Sequence, residues 1–341
     1  MKSRQGGLPR KKLCFCTGRV FSRIKNIPMD TINFIKRLCK VSPRLGVKEK
    51  EAAKIIKAEL DLLGVPYKEQ FFNTSVPICQ KAELRADGEI IPCLGSSLLS
   101  GKIPDAKFLI SGFGYTGKKT PYNINYNPTT DEISVVDFHP VPSLAVSRRS
   151  LMKLVMAKKI KGKVLVKKEK FRSENILAGN RENPEEIVFA HYDSVVGSGA
   201  LDNAGAVAVM LETILSKKKL LKNNLFVFAG NEEISFDNYK LRSGYGFRVF
   251  EREYWKLLAN CKRIIVIDGV GIDKPFYCQH NLQWVFQVKM LEGIKEKVFW
   301  LQNDQSKVSQ IFHSKADIVG NLKEIYLKAA ARALINRLRK N

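Results

Sequence analysis

The sequence predicts an α/β fold carrying a small β-rich inserted module, and three observations predict it. From Asn175 onward, short apolar runs alternate with helix-length segments, the pattern of a sheet covered by helices. Between about Phe71 and Lys170 the texture changes to β-branched runs broken by Gly, Pro and Asn, as in GEIIPCLG and AKFLISGFGY. Third, side chains with nitrogen and oxygen donors recur at the ends of the apolar runs, where an open α/β sheet presents its ligand-binding edge.

The elements follow in order. Residues 1–29 contain no acid and eight basic residues (Lys2, Arg4, Arg10, Lys11, Lys12, Arg19, Arg23, Lys25), which reads as a disordered extension. Asp30 to Lys40 and Val47 to Leu63 read as helices. In the second, Ala52, Ile55, Ile56, Leu60 and Leu63 keep helical spacing, and Gly64 stands at the stop with Pro66 beyond it. The β-rich stretch has one helix near Ser147 to Ala157. Then come strand Ile187 to Ala190, helix Asn203 to Ser216 with Asp202 and Asn203 as an N-terminal cap, and strand Leu225 to Ala229. Helix Glu251 to Ala259, strand Ile264 to Ile267, two strands at Trp284 to Lys289 and Lys297 to Leu301, and a last helix from Asn321 to Arg339 complete the chain. The expected division is 1–29 as extension, 30–90 and 171–341 as main domain, and 91–170 as inserted module.

Composition bounds the partners. The 341 residues carry 58 Lys plus Arg against 33 acids, yet the basic residues are dispersed through the chain without the aromatic interleaving of an RNA-binding sheet. Nucleic acid is therefore not an expected partner. The run LCFC is followed at once by Thr17, Gly18 and Arg19, too short for a secretory core, and no stretch of about 18 apolar residues occurs. A soluble, cytoplasmic protein with no membrane partner is expected; oligomeric state is not readable. Seven scattered cysteines (14, 16, 39, 79, 93, 261 and 278) form no C-x-x-C pair and are expected to be reduced and mostly buried.

The donor residues carry the chemistry. His191 and Asp193 leave the strand Ile187 to Ala190 on one face, while Tyr192 points away. Asp202 opens the next helix, Glu232 and Glu233 follow LFVFAG, and Asp268 ends the strand in CKRIIVIDGVG. His313 in IFHSKAD precedes the last helix, and His280 in FYCQHN competes with it as a fifth ligand. Zinc and similar divalent ions accept His nitrogen and carboxylate oxygen, and a two-metal site needs about five such ligands, one of them bridging.

The order HxD, D, EE, D, H, carried by AHYDSV, GALDNAGAVAV, GNEE and IFHSKAD, resembles the di-zinc aminopeptidases of peptidase family twenty-eight over roughly residues 30–335. The resemblance implies a zinc exopeptidase-like fold, with a mixed central sheet and helices on both faces. It implies two zinc ions or similar divalent metals: His191 and Asp268 on one, Glu233 and His313 on the other, and Asp202 between them. Glu232 would be the general base acting on a metal-bridged hydroxide, and Asp193 would hydrogen-bond the far nitrogen of His191. The segment from Asp268 to His313 is short for the family, with WLQNDQSKV where its pocket loop would lie. Tyr245 and Arg248, beside the glutamates, are candidates to touch substrate and equally serve as structural loop residues.

The expected function is a metallopeptidase removing the N-terminal residue of a peptide substrate. Two alternatives stand beside it: a glutaminyl cyclase-like enzyme, which would use one zinc, and a non-catalytic, receptor-like member of the fold, which would have lost ligands. A carboxypeptidase-type relative would need a large lid domain for which the intervals leave no room.

Overall fold

Two helices come first, α1 (Thr31–Cys39) and α2 (Glu49–Leu62), each burying one apolar stripe. The Asp30 carboxylate caps α1 by accepting from Asn33 N at 2.9 Å, and Gly64, at φ +60°, takes the left-handed conformation that ends α2 as expected. The computed structural model describes residues 29–113, 120–237 and 239–339, so the basic extension up to residue 28, with Cys14 and Cys16, lies outside the described residues.

Strand β1 (Tyr67–Ala86) leads into β2 (Glu89–Ile90), β3 (Cys93–Gly95), β4 (Gly101–Ile103), β5 (Leu109–Ser111), β6 (Asn123–Tyr126) and β7 (Ser143–Val146). Helix α3 (Leu151–Met156) then leads to β8 (Ile160–Gly179). The second half alternates: β9 (Glu186–His191), α4 (Gly205–Ser216), β10 (Asn224–Ala229), α5 (Tyr245–Asn260), β11 (Arg263–Ile267) and β12 (Phe276–Cys278). It closes with α6 (Leu291–Ile294), β13 (Val298–Gln302), α7 (Gln305–Val308) and α8 (Glu324–Leu338).

Among the described residues the larger sheet has nine strands, ordered β12-β13-β11-β9-β10-β8-β1-β2, with β4 joined to β8. The central strands β13, β11, β9 and β10 run parallel, and β12, β8 and β1 run antiparallel to their neighbours, so the sheet is mixed as expected. Side chains alternate across it. Val188, Ala190, Phe226, Phe228 and Ile265 pack with α1, α2, α4 and α8 on one face; Ile187, Phe189, Leu225, Val227 and Val266 pack with α5 and α6 on the other. Both faces are covered, so the strands read as continuous apolar runs.

Strands β1 and β8 pair along nearly their whole length, from Tyr67 opposite Ala178 to Ala86 opposite Ile160. Their near halves belong to the central sheet. Their far halves support a second sheet, β3-β7-β6-β5, against a separate core that includes Leu84, Ile103, Ile124, Leu144 and Val164. Because β8 is antiparallel to β10, with Phe228 opposite Ile176, the residues of β8 before Ile176 overhang the carboxyl edge of the parallel strands. The β-rich segment therefore projects from the edge that bears the candidate ligands.

Three local expectations are corrected. Trp284 to Lys289 is not a strand: Phe286 N and Val288 N donate locally, to Leu282 O and Phe286 O. Phe286 instead plugs the gap beside Phe189 and Phe247, with centroids at 5.0 and 5.3 Å, and β12 takes the place beside β13. The apolar run was a core plug with strand-like composition. Helix α5 starts at Tyr245, earlier than expected, because Gly244 at φ +77° turns the chain into it. Of the described cysteines only Cys39 and Cys261 are buried; Cys79 is exposed and Cys93 and Cys278 are half-buried, all as free thiols. Among the described residues no helix is long and apolar enough to cross a membrane.

The start of α5 sets up the next site. A Cβ on Gly246 would lie 1.9 Å from the carbonyl oxygen of Gly230, one residue before the loop that carries the glutamate pair. Gly246→Ala is expected to lower folding stability by roughly 1–3 kcal/mol, the cost of overpacking against backbone that cannot move aside. A denaturation midpoint equal to that of the unsubstituted chain would contradict this close packing.

Candidate metal centre

Three parallel strands end on the same rim, and each delivers donors there. His191 is the last residue of β9, and Tyr192 turns to the opposite face, where it is fully buried and its hydroxyl donates to Glu174 O at 2.7 Å. Glu232 and Glu233 follow β10 after Gly230 and Asn231, and Asp268 follows β11. Asp202 does not cap a helix as expected. It lies in a non-helical turn before α4, at φ −121° and ψ 85°, and the Asp202–Asn203 peptide is cis. With its side chain free of capping, the carboxylate faces the rim.

The distances bring five expected ligands together. His191 Nε2 lies 3.1 Å from Asp202 Oδ1 and 3.5 Å from Asp268 Oδ2. His313 Nε2 lies 3.2 Å from Asp202 Oδ2 and 2.7 Å from Glu233 Oε2. Two triads result, His191–Asp202–Asp268 and Asp202–Glu233–His313, with donor atoms within 4.8 Å of one another in each and Asp202 common to both. Glu232 Oε2 stands 4.0 Å from His191 Nε2, beside the triads. His280 sits on an exposed turn after β12 and joins neither triad, whereas His313 stands in the second.

Asp193 faces the far nitrogen of His191 and has further contacts besides. Its Oδ1 faces His191 Nδ1 at 3.3 Å, but its two oxygens also accept from the backbone N–H groups of Glu232 at 3.0 Å and Glu233 at 2.9 Å. One fully buried carboxylate thus ties β9 to the glutamate loop. Asp193→Asn keeps the shape but turns an N–H donor toward one of those backbone N–H groups. It is expected to weaken metal binding about 10- to 100-fold, the usual cost of losing an outer-shell partner. Zinc affinity unchanged by this substitution would count against that bracing.

Residues that the sequence did not mark out complete the frame. Arg44 is fully buried: its guanidinium donates to Tyr192 O at 2.5 Å and Gly199 O at 2.8 Å and also reaches Ser198 O. It holds the loop from His191 to Asp202. Asp317, four residues past His313, accepts from Leu201 N at 2.6 Å and Asp202 N at 3.1 Å, and Asn203 Nδ2 donates to Ile267 O at 2.9 Å. A single basic or acidic letter gives no sign of such long-range backbone contacts; IFHSKAD contains Asp317 with nothing in the sequence to single it out. Arg248, a candidate for substrate contact, is buried and bound to Asp237 and to the carbonyls of Ser243 and Gln287, so it braces the loop. Tyr245 lines a separate surface cleft with Lys168, Lys170 and Phe236.

The charges fit a cation. Asp193, Asp202, Glu232, Glu233 and Asp268 put five carboxyl groups around two imidazoles, with His191, Asp193, Glu232 and Glu233 buried. Burial raises the carboxyls of Glu232 and Asp268 above the usual range, and neighbouring carboxylates reinforce it; Glu233 is pushed up to about 7 by burial and by Asp202. Burial also opposes ionisation of Asp202, but the two histidines beside it outweigh that and hold it low. For His191 and His313 burial favours the neutral ring, and the surrounding carboxylates overcome it and raise both. Glu233 Oε1 is buried with no hydrogen-bond partner. Divalent cations satisfy such a donor set where protons otherwise must.

Residues 175–280 match the model for peptidase family M28, a span that contains His191, Asp202, Glu232, Glu233 and Asp268. No curated protein sequence matches the chain. Among solved structures, a zinc aminopeptidase from Bacillus subtilis is similar at a TM-score of 0.65 and 16% identity, over 89% of this chain and 92% of that one. An aminopeptidase from Aneurinibacillus sp. strain AM-1 is similar at 0.58 and 16%, over 88% and 90%. A glutaminyl cyclase from Porphyromonas gingivalis is similar at 0.50 and 12%, over 90% and 96%. The resemblance read from the sequence is borne out: residues 175–280 match the model for peptidase family M28, and the fold is similar to those of the two aminopeptidases.

Proposed function

We propose that the chain is a zinc-dependent aminopeptidase that hydrolyses the first peptide bond of a peptide substrate. The observation that carries this is Asp202, whose two oxygens lie 3.1 and 3.2 Å from the Nε2 atoms of His191 and His313, so that one carboxylate serves two ligand triads. His191 and Asp268 would hold one ion, Glu233 and His313 the other. Two zinc ions bound there would supply Lewis acidity and a water acidified to near neutral pH. Glu232 lies beside the triads, held by its backbone N–H to Asp193, and its carboxylate takes the proton from water and returns it to the departing amine. The excess of carboxylates also suits a substrate whose amino terminus is cationic.

Both triads are complete, which favours two metals over the single metal expected of a cyclase. The test is to strip the purified protein with a chelator and return zinc while following aminoacyl anilides and an N-terminal glutaminyl peptide. Activity on the anilides is expected to vanish and to return with about two equivalents of zinc. Ammonia release from the glutaminyl peptide without anilide cleavage would replace the proposal with a cyclase. Zinc uptake without turnover of either would replace it with a non-catalytic binder.

A further inference from the structure

The β-rich segment between β1 and β8 is left without a task by the chemistry above, yet one of its loops reaches the metal centre. After β6, residues 127–135 lie along the loop that carries His313. Asn127 Nδ2 donates to Ser309 O at 2.7 Å, and Thr129 Oγ1 donates to the same carbonyl at 2.9 Å. Asn127 Oδ1 accepts from Thr129 N at 2.9 Å, which fixes the amide's orientation. Ser134 Oγ donates to Phe312 O at 3.0 Å. Val135 N then donates to His313 O at 3.0 Å, and His313 Nδ1 lies 2.8 Å from Val135 O. Asn127 and Ser134 are both fully buried in this contact. The ring of Phe113, from the same segment of the chain, stacks on Phe312 at 6.1 Å.

Two physical consequences follow. A backbone carbonyl can only accept, so His313 carries its hydrogen on Nδ1 when it bonds Val135, and Nε2 is left to present a lone pair toward Asp202 and Glu233. His313 also has φ +50°, a left-handed conformation that a non-glycine residue keeps only when its surroundings hold it there. The holding contacts come from Asn127, Thr129, Ser134 and Val135. His191, by contrast, sits on the last residue of β9 with Asp193 and Arg44 around its loop, all from elements of the central domain.

We infer that the inserted segment is a working part of one metal half-site: residues 127–135 position His313, so zinc occupancy of the Asp202–Glu233–His313 triad depends on the insertion, and that of the His191–Asp202–Asp268 triad does not. The inference rests on the two-metal reading. Asn127, Thr129 and Ser134 are positioning residues that act through the His313 loop.

The test measures both zinc dissociation constants by competition with a chromophoric chelator in the full chain, in Asn127→Asp and in Thr129→Val. Asn127→Asp sets a carboxylate against the Ser309 carbonyl, and Thr129→Val removes a hydroxyl from an exposed position at nearly constant shape. Asp105→Asn, in a surface pair with Tyr122 elsewhere in the insertion, is the control. One constant is expected to weaken about 10- to 100-fold in Asn127→Asp, and by less in Thr129→Val, while the other and the control stay within about threefold. Amide hydrogen exchange in the metal-free chain gives a readout without zinc: Val135 is expected to lose protection in Asn127→Asp while β9 keeps its own. In an Asp268→Asn background, Asn127→Asp is expected to weaken the remaining site, which assigns the affected triad. Unchanged constants in both variants, or equal weakening of both sites, would overturn the inference and leave the two-metal reading intact. A wild-type chain that takes up no zinc would overturn both. If Asn127→Asp does not fold, Thr129→Val alone decides.

Discussion

Glu232→Gln is expected to cut turnover of an aminoacyl anilide by about 10²- to 10⁴-fold, the range of a lost general base, while zinc binding and melting temperature stay close to those of the unsubstituted chain. The adjacent glutamates are divided by geometry. Glu233 Oε2 lies 2.7 Å from His313 Nε2 inside a triad, whereas Glu232 Oε2 stands 4.0 Å from His191 Nε2 and joins neither triad. A glutamine at 232 keeps the side-chain volume and leaves the backbone N–H to Asp193 untouched, so the change removes proton transfer and little else. Glu233→Gln should behave oppositely, with zinc affinity lost first and activity lost as a result. Steady-state kinetics with metal analysis on the two variants separates the roles. Full activity in Glu232→Gln would reject it as the base.

Asp202→Ala is expected to empty both metal positions and reduce hydrolysis to background, because each triad loses the one ligand they share. Asp202→Asn gives a graded result. An amide retains one oxygen and replaces the other with an NH₂ group that has no lone pair to offer, so one zinc is expected to weaken by more than about 100-fold, beyond the usual loss from an outer-shell change, and the other less. The turn that presents Asp202 survives either substitution, since it is held through backbone: Leu201 N and Asp202 N donate to Asp317, and Arg44 holds the carbonyls of Tyr192 and Gly199. Metal titration of the two variants decides. Two zinc ions retained at unchanged affinity in Asp202→Ala would remove the shared carboxylate from the centre and with it the proposed function's main support.

Much of the central sheet is legible in the sequence because its strands are buried on both faces. Ile187 to Ala190, Leu225 to Ala229 and Ile264 to Ile267 have no polar face to blur the pattern, and each is followed within a few residues by a donor side chain. The same signal misleads at Trp284 to Lys289. There Val285, Phe286 and Val288 are buried like a strand but by filling a gap next to Phe189, and composition does not distinguish a plug from a strand. The start of α5 is hidden for a different reason: RSGYGF reads as loop, whereas Gly244 supplies a turn and Gly246 the close approach to Gly230 that lets the helix begin.

The chain by itself determines which side chains meet. Period-two alternation sends His191 and Asp193 one way and Tyr192 the other, and the carboxyl ends of parallel strands form one rim wherever such a sheet exists. What holds those side chains in place was decided by tertiary structure alone. Arg44, Asp317 and Asn127 act through backbone carbonyls and N–H groups more than a hundred residues away, partners that have no letter in the sequence. The presence of His313, and not His280, among the clustered donors has the same cause, since the distance between a loop and a rim comes from packing and not from spacing along the chain.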